Sequence, residues 1–88
     1  MAKYSLRIKK SAIKELEAIP NRADRRRIVA RIASLAVDPL PRGVQKLSGK
    51  ERYRIRQGRY RILYTVRDRE LIVYIVRIGH RKSVYRNS

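Results

Sequence analysis

Four arginines, Arg54, Arg56, Arg59 and Arg61, stand in the stretch YRIRQGRYRILY, residues 53 to 64. Three more groups able to carry chemistry, His80, Arg81 and Tyr85, follow in RIGHRKSVYR, residues 77 to 86. A guanidinium is planar, permanently charged and presents its donors as a rigid fork, so several of them at alternate positions are suited to hold the oxygens of an anion. Other chemistries are poorly supplied. The seven carboxylates are Glu15, Glu17, Asp24, Asp38, Glu51, Asp68 and Glu70, and all except Glu51 fall on expected helices, their ends or a distant turn. No carboxylate cluster is therefore expected beside the arginines, which argues against a two-metal nuclease. One histidine supplies neither a histidine pair nor a His-x-x-x-His metal site, and the scattered glycines form no phosphate-cradling loop. Neither a metal nor another cofactor is expected.

The elements that must position these groups follow from periodicity. Tyr4, Leu6 and Ile8 alternate with polar neighbours, which predicts a half-buried strand over residues 3 to 9. Ser11 is placed to cap a short helix with Ile13, Leu16 and Ile19 at helical spacing, stopped by Pro20. Asn21, with Asp24 three residues on, predicts the start of a longer helix whose apolar stripe is Ile28, Val29, Ile32, Leu35 and Ala36. Its other face, Arg22, Arg25, Arg26, Arg27 and Arg31, reads as solvated. Residues 39 to 49 read as a loop, with Val44 and Leu47 anchoring it to the core.

Beyond that loop the period becomes two. Tyr53 and Ile55 alternate with Arg54 and Arg56, a turn falls at Gln57 and Gly58, and Tyr60, Ile62, Tyr64 and Val66 alternate with Arg59, Arg61, Leu63 and Thr65. Residues 71 to 78, LIVYIVRI, are apolar on both faces and predict a central strand covered on both sides. The whole chain, residues 1 to 88, is read as one α+β domain of order β-α-α-β-β-β, with two N-terminal helices packed on one face of a small, mainly antiparallel sheet. Tyr60, Ile62 and Tyr64 then lie under the helices. Arg54, Arg56, Arg59 and Arg61 project from the uncovered face and make it an anion trough, with His80, Arg81 and Tyr85 expected beside it.

The totals agree with that picture. A formal charge of +17 repels itself in a compact chain and points to a polyanionic partner, nucleic acid before others. The absence of cysteine excludes disulfides and thiolate chemistry, and no segment reaches the roughly 20 apolar residues of a membrane span. MAKYSLRIKK holds no signal-like apolar run, so a cytoplasmic protein without membrane partners is expected.

KLSGKERYRIRQGRYRILYTVRDRELIVYIVRIGHRKSVYR, with the basic β-α-α start before it, resembles the RelE/ParE superfamily of prokaryotic toxin–antitoxin toxins over essentially the whole chain. In the RelE branch the resemblance implies a ribosome-dependent endoribonuclease. Such an enzyme cuts mRNA in the decoding site without a metal, inhibits translation, and leaves a 2′,3′-cyclic phosphate and a 5′-hydroxyl. The likeness equally covers ParE-type inhibitors of DNA gyrase, and a basic RNA-binding module without catalysis remains open. It implies catalytic roles for Arg61 and Arg81 in steadying phosphate charge and for Tyr85 in stacking on or orienting a nucleotide. Arg54, Arg56, Arg59, Lys46 and Lys50 would form the RNA-binding set. Where well-known members have lysines this chain has arginine, a poor proton acceptor, and His80 is expected to substitute as the base. The implied partners are the ribosome, mRNA and a cognate RelB-like antitoxin, acidic and largely helical. The few residues after Tyr85 leave no room for the C-terminal helix of some members.

Overall fold

The structure, a computed structural model, describes residues 3–47 and 52–80. Its elements are β1 (Ser5–Ile8), α1 (Lys10–Glu17), α2 (Arg22–Leu35), β2 (Gln45–Leu47), β3 (Arg52–Gln57), β4 (Tyr60–Arg67) and β5 (Ile72–His80). The expected α+β class and β-α-α-β-β-β order are present, with one strand more than the sequence reading gave. β2 lies inside the segment read as loop. Three residues are too short to show an alternation, and β2 exists because β3 offers it a partner.

The five strands form one sheet in the order β1-β5-β4-β3-β2. β1 runs parallel to β5, and the other neighbours are antiparallel. Both helices cover the same side, where Ala12, Ile19, Ile28, Ile32 and Leu35 meet Ile55, Ile62, Tyr64, Val66, Val73, Ile75 and Ile78. Burying these side chains removes most of the strands' apolar surface from water and fixes which side of the sheet faces in.

Helix α2 starts as its sequence says: Asn21 Oδ1 accepts the Asp24 backbone N–H at 3.0 Å. Val29, expected in the apolar stripe, is 51% exposed, because the stripe needs only Ile28, Ile32 and Leu35 to reach the sheet. Helix α1 begins two residues earlier than expected, with Lys9 as its N-cap residue and Ser11 inside the first turn. Its buried position is Ala12, with Leu16 packed beside it and Ile19 buried just beyond its end, while Ile13 is left exposed. The small Ala12 lets α1 approach β5 closely.

Strand β5 contains an irregularity that alternation could not show. Leu63 pairs with Arg77 and Tyr64 with Ile75, so Val76 bulges out of the ladder and the inward positions become Val73, Ile75 and Ile78. Ile72, Tyr74 and Val76 are half-buried, so the second side of β5 is only partly covered. β1 stops at Ile8, opposite Ile75. Beyond it Glu15 of α1 takes over the exposed strand edge, accepting the Ile78 N–H at 3.0 Å and approaching Arg77 Nε at 3.5 Å. No helix among the described residues is long and apolar enough to cross a membrane.

Candidate functional site

The β3–β4 hairpin turns at Gly58, whose φ of +60° suits glycine, and carries its arginines on the side away from the helices. Arg56 stands directly opposite Arg61, and Arg54 opposite Leu63. The expected convergence holds for these three, but their depths differ. Arg56 is exposed, Arg54 half-buried, and Arg61 only 3% exposed, so Arg61 does not project freely into solvent as expected. Arg54 donates to Gln45 Oε1 on the neighbouring strand β2, which fixes its guanidinium. Arg59 is exposed at the turn.

Between these groups lies a hollow of about 290 Å³ lined by Arg31, Gly43, Gln45, Arg54, Ile55, Arg56 and Arg61. It exists because β2 pairs with β3 only over Arg52, Tyr53 and Arg54, leaving the outer edge of Ile55, Arg56 and Gln57 without a strand neighbour among the described residues. Gly43, at φ +91°, turns the incoming chain there. That loop is tied down from the other side of the sheet, where the Tyr64 hydroxyl donates to the Pro39 carbonyl at 2.7 Å. Burial pushes the Tyr64 phenol far above its ordinary value, with Tyr53 and Asp38 adding to the effect and Arg31 opposing it. Among the described residues the lining holds four guanidiniums and no carboxylate, a composition that attracts an anion and offers a cation nothing.

Two expected site residues lie elsewhere. His80 pairs with Tyr60, and their rings meet edge to face at 5.7 Å between centroids. Tyr60 is on the helix side with Ile62 and Ile78, so the imidazole faces away from Arg56 and Arg61. The reason is parity: the strand is in register with Gly79 opposite Arg61, and the next residue must point to the other side. Lys46 is displaced likewise, since it pairs with Tyr53, although its ammonium is exposed. Lys50, Arg81 and Tyr85 lie outside the described residues. Arg31, Gly43 and Gln45 were not singled out as site residues. Arg31 sits between Ile28 and Leu35 on the helix surface, bordering the buried stripe rather than opposing it, and that spacing was the available signal.

An apolar side under two helices and a guanidinium-lined side away from them define a basic α+β domain. Residues 6–85 match the family model of the ParE toxin of the type II toxin–antitoxin system parDE. The chain is 30% identical over 86 residues to toxin RelG of Mycobacterium tuberculosis, covering 94% of this chain and 97% of that one. It is 28% identical over 89 residues to the putative toxin RelE1 of Methanocaldococcus jannaschii, covering 97% and 98%. Among solved structures, the RelE–RelB complex of Pyrococcus horikoshii matches with a TM-score of 0.80 and 32% identity, covering 90% of this chain and 96% of that one. The chain belongs to the ParE toxin family of type II toxin–antitoxin systems, within the RelE/ParE superfamily. Its relatives place it on the RelE side.

Proposed function

We propose that this toxin is a metal-independent endoribonuclease that cuts mRNA in the ribosomal A site and so stops translation. The observation that carries the reading is the cluster of Arg54, Arg56 and Arg61 on the face away from the helices, with Arg61 buried. In-line attack of a 2′-hydroxyl on the neighbouring phosphorus forms the 2′,3′-cyclic phosphate and breaks the bond to the 5′-oxygen, which leaves as a hydroxyl. Negative charge grows on the non-bridging oxygens as this happens. Guanidiniums held in place beforehand stabilise that charge without reorganising, and in a site of low exposure they are worth more than in water.

Arg61 takes the transition-state role and Arg56 assists from the opposite strand. Arg54 and Arg59 hold flanking RNA. Arg81 and Tyr85 complete the site in this reading, the first on phosphate charge and the second by stacking on a base. His80, on the other side of the sheet, is given no part in proton transfer, and Lys46 none in positioning the scissile phosphate. The partners are the ribosome and mRNA in the cytoplasm and an antitoxin of RelB type, as in the Pyrococcus horikoshii complex. An acidic helical segment suits a chain of charge +17.

Cleavage is tested by adding the protein to translating ribosomes and mapping new 5′-hydroxyl ends. Wild-type protein is expected to create them and Arg61→Gln to lose about a hundredfold in rate. No new ends from the wild-type protein would refute the reading. The ParE name of the matching family model favours a second reading, a non-catalytic inhibitor of DNA gyrase. It predicts DNA damage on expression while protein synthesis continues.

A further inference from the structure

The arginines of α2 are not alike. Arg22, Arg26 and Arg27 are exposed, and Arg27 approaches Asp24 at 3.8 Å. Arg25 donates to the Ile19 carbonyl at 2.5 Å and so joins the two helices. Arg31 instead crosses from the helix layer to the edge of the sheet and lines the hollow with Gln45, Arg54 and Arg56. Its Nε is buried and has no hydrogen-bond partner among the described residues. A buried donor in that state costs stability, and the guanidinium it belongs to lines the hollow beside three others.

The hollow's composition says what kind of acceptor. Among the described residues, four guanidiniums and one amide line it with Gly43 and Ile55, a set that holds phosphate oxygens rather than a base. Its volume, about 290 Å³, is at the small end of ligand sites and suits a phosphate with its sugar rather than a stacked nucleotide. It also shares Arg56 and Arg61 with the arginine face, and it opens where β2 ends. A strand held at Arg61 and leaving over Arg56 would meet Arg31 next. We propose that Arg31, with Gln45 and Arg54, seats a second, non-reacting phosphate of the RNA whose scissile phosphate lies at Arg61. This rests on the RNA-cleaving reading for the identity of the ligand, and it makes Arg31 a positioning residue that binds backbone regardless of sequence.

The test measures binding and needs no cleavage. A short single-stranded RNA, made uncleavable by 2′-deoxy substitution, is titrated with the full chain at several salt concentrations. Arg31→Gln is expected to weaken binding about tenfold for two unrelated sequences alike. It should also lower the slope of log affinity against log salt by about 0.7, the value of one phosphate on a single strand. Arg26→Gln removes the same charge from the solvent face and is expected to change the slope by much less. Arg31→Lys should restore most of it. Arg31→Met, which keeps the buried stem, should repeat the loss, so a folding defect in one variant does not decide the matter.

If Arg31→Gln and Arg26→Gln prove indistinguishable, the seat is refuted. Titration with inorganic phosphate separates a free anion from RNA: saturable phosphate binding that needs Arg31, with the RNA slope unchanged, also overturns the proposal. A slope change in a protein that cuts no mRNA on ribosomes would sink the cleavage reading and leave the seat standing.

Discussion

The two sides of the β3–β4 hairpin share one backbone and one register, yet they are held by opposite means. On the helix side Ile55, Ile62, Tyr64 and Val66 are buried among other apolar side chains, and each neighbour makes the next burial easier. On the far side Arg54, Arg56 and Arg61 crowd like charges around a hollow with no carboxylate among its described lining residues. The first side stabilises the fold whether or not a ligand is present. The second works against the fold until an anion arrives, a common arrangement at sites kept for function at some cost in stability.

Substitutions on each side should break this comparison in different ways. Ile75→Ala removes a fully buried side chain beneath the helices and is expected to cost about 3 kcal/mol in urea unfolding, with cleavage per folded molecule preserved. Arg61→Gln should do the reverse, losing about a hundredfold in cleavage with a smaller change in the unfolding midpoint than Ile75→Ala. A variant that moved both quantities together would show that the two sides are not separable.

Tyr64 sharpens the contrast, because its ring is in the core while its hydroxyl anchors the loop that reaches the hollow. Tyr64→Phe should cost about 1 kcal/mol for the lost bond to the Pro39 carbonyl. The phenol's raised pKa also gives a sign: the unfolded chain loses this proton near pH 10.0 while the folded one keeps it. The contribution is therefore complete below that pH and declines as pH rises above it. Alkaline unfolding followed in wild type and Tyr64→Phe should show a shallower decline in the variant. The smallest effect is expected at Arg56, opposite Arg61. Arg56→Gln should raise stability by about 0.5 kcal/mol in dilute buffer, and the gain should shrink as salt is added.

Alternation along residues 53 to 66 was sufficient to assign each side chain to one face of the sheet, because a strand's side chains have only two directions, though not to foresee that Arg61 and Leu63 are buried. The capping pair Asn21 and Asp24 was equally local and equally legible. What the sequence hid was set by partners far away in the chain. The bulge at Val76 shifts the faces of β5 and depends on how β4 meets it. The shortness of β2, which opens the hollow, is a property of its pairing with β3. The same parity that placed Arg56 with Arg61 sends His80 to the opposite side, once Gly79 is known to face Arg61. The side taken by His80 thus required the register, and residue type alone suggested the wrong neighbour. Arg31 was obscured by four other arginines on its helix, of which it is the one that reaches the hollow.

The sheet's second strand in space is its last in sequence: β5 lies between β1 and β4, and Ser5 is held opposite Ile72. A chain emerging from the exit tunnel can close the β3–β4 hairpin early, but its first strand has nowhere to dock until the final one is out. Assembly of the full sheet must therefore wait until β5 has been made. A copy cut short before β5 therefore lacks both the parallel partner of β1 and the antiparallel partner of β4.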